Sequence, residues 1–138
     1  MSAYSIGDAA RQSGVKVPTI RYYEGIGLLP VPARQTNNRR LYDAAAIGRL
    51  VFIRHAREWG FAVEDIRELL SLKDNPSQSC RDADRIARAR LADVEARIER
   101  LNDLKIELKR IIGSCSQQRV ADCEVMEAIA DRSLPAHS

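Results

Sequence analysis

At 138 residues the chain has room for one domain, or one small domain with an extension, and 45% hydrophobic but only 5% aromatic residues imply a mostly helical core of Leu, Ile, Val and Ala. The net charge of +3 conceals an asymmetry: residues 1–60 carry nine Arg and Lys against four Asp and Glu, and the rest carry thirteen against fifteen, so the basic excess favours a nucleic-acid partner for the N-terminal half. No apolar run is long enough to span a membrane, and no signal peptide or lipidation motif is present. A membrane partner is therefore not expected, the expected location is the cytosol, and three reduced thiols are expected there rather than a disulfide framework.

Residues 4–13 read as a short helix, with Ser5 as N-cap, Ile6, Ala9 and Ala10 on its inner face, and Gly14 as its left-handed stop. Pro18 suits the first turn of a second helix that runs through Thr19-Ile20-Arg21-Tyr22-Tyr23-Glu24 to Gly25. Helix, glycine turn and helix over residues 6–25 make a helix-turn-helix candidate. Lys16, Thr19, Arg21, Tyr22 and Tyr23 supply donors suited to phosphates and base edges. After Pro30 and Pro32 the segment 34–42 has Asn37-Asn38 as a turn signal, so a short hairpin with Arg34, Arg39 and Arg40 at its tip is a candidate wing; the alternative is a solvated basic loop.

Asp43 is placed to cap a third helix over 44–58, broken by Gly60, and a fourth helix follows over 63–71 with Val63, Ile66, Leu69 and Leu70 facing inward. Lys73-Asp74-Asn75-Pro76 reads as a hinge. The stretch 81–112 holds no Gly or Pro, and its apolar residues step by three and four from Leu91 through Val94, Ile98, Leu101, Leu104 and Leu108 to Ile111. That is close to a coiled-coil seam on a helix about 45 Å long, too narrow a stripe to be stable without a partner. A loop at 113–123 and a short helix through Val125, Met126 and Ile129 close the chain before a tail at 132–138. No nucleophile–base pair, phosphate loop or acid pair stands out, so an enzyme is not expected.

The run Thr19 to Glu24 with Gly27-Leu28-Leu29, then Arg39-Arg40-Leu41-Tyr42, Ile53 to Arg57, Gly60-Phe61, Glu64-Asp65-Ile66 and Leu69-Leu70, closely resembles the MerR family of bacterial transcription regulators. The resemblance covers essentially the whole chain. It implies a mainly α fold: a winged helix-turn-helix head over 3–72, a dimerisation helix over 80–112 forming an antiparallel coiled coil with a second copy, and a metal-binding loop with a short helix over 113–131. It also implies promoter DNA and RNA polymerase as partners. By the same resemblance Lys16, Thr19, Arg21, Tyr22, Arg39, Arg40 and Tyr42 are expected to face DNA and Arg54 to add a backbone contact, while Tyr23 is left open between DNA and the core; Arg34 joins the expected DNA contacts as an arginine of the candidate wing tip.

Cys115 and Cys123 bracket a polar C-x7-C loop, and Cys80 stands one helix length away. Thiolates in such a loop can converge on a soft metal ion. In an antiparallel dimer the start of one long helix meets the end of its partner, so Cys80 of one subunit would join Cys115 and Cys123 of the other. The pattern is similar to the metal-sensing branch of the family. Relatives that sense monovalent copper lack a thiol at the position of Cys80, so its presence implies a divalent ion, zinc first and then cadmium, lead or mercury. Asp122, a water or His137 could complete the site. The expected function is a metal-responsive activator of efflux or resistance genes that distorts promoter DNA. The alternatives are a thiol redox regulator and an effector-independent DNA-binding or coiled-coil adaptor.

Overall fold

The computed structural model describes residues 3–32, 41–114, 119–120 and 123–131. It is mainly helical. Helices α1 (Ile6–Ser13), α2 (Val17–Gly25), α3 (Ala44–Glu58) and α4 (Val63–Lys73) are followed by the long α5 (Arg81–Ser114) and the short α6 (Glu124–Ala130). The chain divides into two compact units, Met1–Ala87 and Arg88–Ser138, so the first unit takes in the opening turns of α5 as well as the expected head. Among the described residues no helix is long and apolar enough to cross a membrane.

The helix starts follow from capping chemistry. The Ser5 hydroxyl accepts from Asp8 N at 3.1 Å, and the Asp43 carboxylate accepts from Ala46 N at 2.8 Å, each satisfying an amide that a helix leaves without an intrahelical partner. With Ser5 as cap, α1 begins at Ile6 and not at residue 4. Tyr4 instead pairs with Tyr42 in an antiparallel bridge, with both N–H···O distances 2.7 Å. Pro18 sits in the first turn of α2, where its missing N–H costs nothing. Gly14, at φ +75°, ends α1 by donating to Ala10 O at 2.9 Å, a conformation that glycine adopts without a side-chain clash.

The core of the first unit gathers one face of each helix: Ala9 from α1, Ile20 and Tyr23 from α2, Leu50 and Ile53 from α3, and Ile66 and Leu70 from α4, with Leu28, Leu29 and Tyr42 from the connecting segments. Burying a large aliphatic side chain such as Leu or Ile stabilises by about 1.5–3 kcal/mol, so this cluster fixes the angle between α1 and α2. Arg49 crosses from α3, donating from Nε to Leu28 O at 3.0 Å and from Nη1 to Asp74 Oδ1 at 3.0 Å. That contact joins the turn after α2 to the end of α4. At the far side, Arg85 in the first turns of α5 holds Glu68 of α4 through two contacts of 2.8 and 2.9 Å, and Ile86 is buried.

Two helices run further than their expected ends. Helix α4 continues to Lys73, where Asp74 caps it. Helix α5 passes Gly113 and ends at Ser114, because a single glycine costs a helix only about 1 kcal/mol. Along the second unit's part of α5 much of the apolar stripe stands open to solvent, while Val94 and Leu104 are half-buried and Ile111 is buried. Leu91, Ile98, Leu101 and Leu108 are between 43% and 58% exposed.

Candidate nucleic-acid interface and metal-ligating thiols

Helix α2 turns two faces to different surroundings. Ile20, Tyr23 and Glu24 are buried against the core, while Lys16, Arg21 and Tyr22 are exposed and Thr19 is half-buried. The Tyr22 ring, 56% exposed, lies against Tyr23 with centroids 5.9 Å apart, so one aromatic anchors the other at the surface. Beside them Gly14, Val15, Lys16, Thr19, Tyr23, Arg54, Arg57 and Glu58 line a concavity of about 360 Å³. Three cations around a concave surface against one carboxylate suit a phosphodiester.

Arg54 has a second role that its position in the sequence does not reveal. Its Nε donates to Ser13 O at 2.9 Å and its Nη1 to Glu58 Oε1 at 3.0 Å. The guanidinium therefore clamps the turn between α1 and α2 while its outer edge lines the concavity. Arg57 was not among the expected contacts. It donates from Nη1 to Phe61 O at 2.8 Å and lines the same concavity, and its place three residues after Arg54 on one helix face was the available signal.

Two tyrosines, one expected to face DNA and one left open, lie in the core. The Tyr42 side chain is 0% exposed and its hydroxyl donates to Glu24 Oε2 at 2.9 Å. Its ring packs inward because the bridge to Tyr4 fixes which face of the backbone it occupies, which sets it in the core and not on the surface where it was expected. Tyr23 is 8% exposed and packs in the core, yet it also lines the concavity beside Arg54; burial raises its phenol pKa above the ordinary 10.0, against the opposing pull of Arg57. Arg34, Arg39 and Arg40, the expected wing tip, lie outside the described residues.

Of the thiols, Cys80 and Cys123 are described, and neither is in a disulfide. Cys115, with Asp122 and His137, lies outside the described residues. Cys80 is exposed and directly precedes α5, its carbonyl accepting from Asp84 N at 2.9 Å. Cys123 is half-buried and is the N-cap of α6. The first turn of α5 carries Asp82 and Asp84, and that of α6 carries Glu124 and Glu127. The thiols are the soft donors here, and the nearby acidic residues add negative charge to the helix starts that each cysteine precedes. Among the described residues no three His, Cys, Asp or Glu gather in a metal-holding group.

At the end of α5 Arg110 donates to Glu107 through Nη2 at 2.5 Å and Nε at 3.3 Å, and to Glu124 Oε1 through Nη1 at 3.0 Å. Its hydrogen bonds to Glu107, then to Glu124, hold its pKa above the usual arginine range.

A helix-turn-helix with a cationic outer face, followed by a long helix with an open apolar stripe, defines a DNA-binding regulator of the dimerising type. The family model for the MerR HTH family regulatory protein matches residues 4–73, and that for MerR, DNA binding matches residues 47–111. The chain belongs to the MerR family of transcription regulators, which are not enzymes. It is 38% identical to the HTH-type transcriptional regulator ZntR of Escherichia coli (strain K12), over 91% of this chain and 92% of that one. It is 36% identical to heavy metal-dependent transcription regulator 2 of Rhizobium meliloti (strain 1021), over 94% and 88%. Among solved structures, the transcription regulator PbrR691 from Ralstonia metallidurans CH34 in complex with lead(II) superposes with a TM-score of 0.78 at 35% identity, covering 91% of this chain and 98% of that one.

Proposed function

We propose that the protein is a homodimeric activator of heavy-metal efflux or resistance genes, switched by a divalent cation held on three thiolates. The observation that carries this reading is the placement of cysteines at both ends of a helix whose apolar stripe is exposed. An antiparallel partner would cover Leu91, Ile98, Leu101 and Leu108 and bring the start of one α5 to the end of the other. Cys80 of one subunit and Cys115 and Cys123 of the partner subunit would then hold one ion. The cation would neutralise thiolate charge there. Zinc stands first, with cadmium, lead and mercury following, since all four accept sulfur donors. The lead(II) bound by the similar PbrR691 supports the heavier choices.

On DNA, two copies of α2 read the halves of a two-fold operator through Lys16, Thr19, Arg21 and Tyr22. Arg34, Arg39 and Arg40 add wing contacts to phosphates, and Arg54 and Arg57 add contacts beside α2. Metal shifts the dimer between two DNA-bound conformations, and the preferred one bends and untwists a promoter with an over-long spacer so that RNA polymerase can use it.

The test is promoter activation across Zn, Cd, Pb, Hg, Cu and Co salts for the wild type and for Cys80→Ser, Cys115→Ser and Cys123→Ser. Divalent response is expected to vanish in each variant. A full response in Cys80→Ser, or a monomer at micromolar concentration, would contradict the cross-subunit site, and activation by peroxide in strict absence of metal would favour a redox switch.

A further inference from the structure

Helix α2 ends at Gly25, and the chain folds back on it at once. The amides of Leu28 and Leu29 both donate to Tyr23 O, at 2.9 and 3.3 Å, and both leucine side chains are buried. The carbonyl of Leu28 accepts from Arg49 Nε of α3 at 3.0 Å. The same guanidinium donates through Nη1 to both carboxylate oxygens of Asp74, the C-cap of α4, at 3.0 and 3.3 Å. The Arg49 side chain is 20% exposed, so a planar fork of donors is held between two acceptors on different elements. Each element also has other holds: Leu28 and Leu29 sit in the core, Ile66 and Leu70 fix α4 there, and Lys73 lies over the Phe52 ring at 5.7 Å. What Arg49 adds is a direct polar link between the exit of α2 and the exit of α4. Asp74 stands in the stretch that the sequence marks as a hinge, and beyond it the Arg85–Glu68 pair fastens the first turns of α5 to α4.

We infer that Arg49 is a positioning residue for DNA recognition: it ties the exit of α2 to the exit of α4, so that a displacement where α4 gives way to α5 is passed to the DNA-facing helix. This rests on the reading of α2 as that helix and adds the part through which the start of α5 acts on it. The link joins two elements that the core already fixes one by one, so its signature is coupling between them and not the presence of either. Coupling between two places is reciprocal, and it can therefore be read from both ends. The Asp74 carboxylate is 56% exposed, so the ion pair is partly screened and the transmitted effect is on the order of a few-fold.

The test is amide hydrogen exchange on the full-length protein, free and bound to operator DNA. In the free protein, Asp74→Ala should speed exchange at Leu28 and Leu29 about two- to fivefold, although among the described residues no hydrogen bond joins Asp74 to either. In an Arg49→Gln background the same substitution should change nothing there, because its effect runs through the arginine. In the wild type, operator should slow exchange along α2 and also at Asp74, Asn75 and Gln78, whose amides donate to Leu70 O, Leu72 O and Asn75 O. In Arg49→Gln the slowing along α2 should remain, and that at 74, 75 and 78 should be lost. A residue that merely stabilised the fold would shift all of these together. Unchanged exchange at Leu28 and Leu29 in Asp74→Ala would overturn the inference, as would a response that persists in the Arg49→Gln background. An operator effect confined to α2 in the wild type, or one at 74, 75 and 78 that survives Arg49→Gln, would overturn it as well. If Arg49→Gln fails to fold, Arg49→Lys, which keeps the charge and loses the fork, takes its place. If operator slows nothing along α2 while the free protein responds as expected, the DNA-facing reading of α2 has failed and the link stands.

Discussion

The hydroxyl of Tyr42 donates to Glu24 Oε2 across 2.9 Å inside the core, joining the last turn of α2 to the end of the expected wing segment. The bridge from Tyr42 to Tyr4 continues the connection to the start of α1. Tyr42, at the end of the expected wing, and helix α2 are thus fastened at one buried point. Tyr42→Phe keeps the ring and removes the donor beside a buried carboxylate. A hydrogen bond to a charged group contributes roughly 1.5–3 kcal/mol, so thermal unfolding should fall by that order. Operator affinity should fall with it if the wing is positioned through this contact. An unchanged midpoint would show that Glu24 is satisfied without Tyr42.

The turn between α1 and α2 offers a second test. Gly14 has φ +75°, and a Cβ there would stand 3.2 Å from Arg54 Nε, the atom that donates to Ser13 O. Gly14→Ala therefore meets backbone strain of about 1–2 kcal/mol and a crowded guanidinium. Arg54→Ala loses the clamp on Ser13. Chemical denaturation of both singles and the double variant should show losses that are less than additive, since the double relieves the crowding. Full additivity would mean that the arginine simply moves aside.

Burial of Tyr23 sets a pH dependence. Its folded pKa lies above 10.0, so the folded state keeps its proton where the unfolded chain gives it up. The resulting stability is intact below about pH 10 and is lost as pH rises through the folded value. Tyr23→Phe should flatten the alkaline limb of a stability-versus-pH curve measured by denaturant unfolding. An alkaline limb identical to that of the wild type would assign it to other groups.

Helix starts and the order of elements were legible because they depend on near neighbours: Ser5 and Asp43 cap, Pro18 opens α2 and Gly14 closes α1. The open stripe on α5 was legible from its spacing for the same reason. The inward turn of Tyr42 was not, since it is decided by pairing with Tyr4, 38 positions earlier. A motif match alone could not separate a tyrosine that faces DNA from one that holds the wing's base. The double use of Arg54 was hidden likewise, because Ser13 lies 41 residues away in sequence. The contact of Arg110 with Glu124 at 3.0 Å was hidden for the same reason, since the two are 14 residues apart. Trp59, the C-cap of α3, is 71% exposed.

The central claim is that the metal site is built from both subunits, and a mixed dimer tests it most directly. Cys80→Ser and Cys123→Ser homodimers should each lack an intact site. A heterodimer of the two variants, purified through distinct tags, has one end where Cys80 of one chain meets intact Cys115 and Cys123 of the other. Titrated with cadmium, it should bind one ion per dimer with the wild-type thiolate absorption and about half the wild-type amplitude. A mixed dimer that binds none would mean that all three sulfurs must come from a single chain, and would contradict the account.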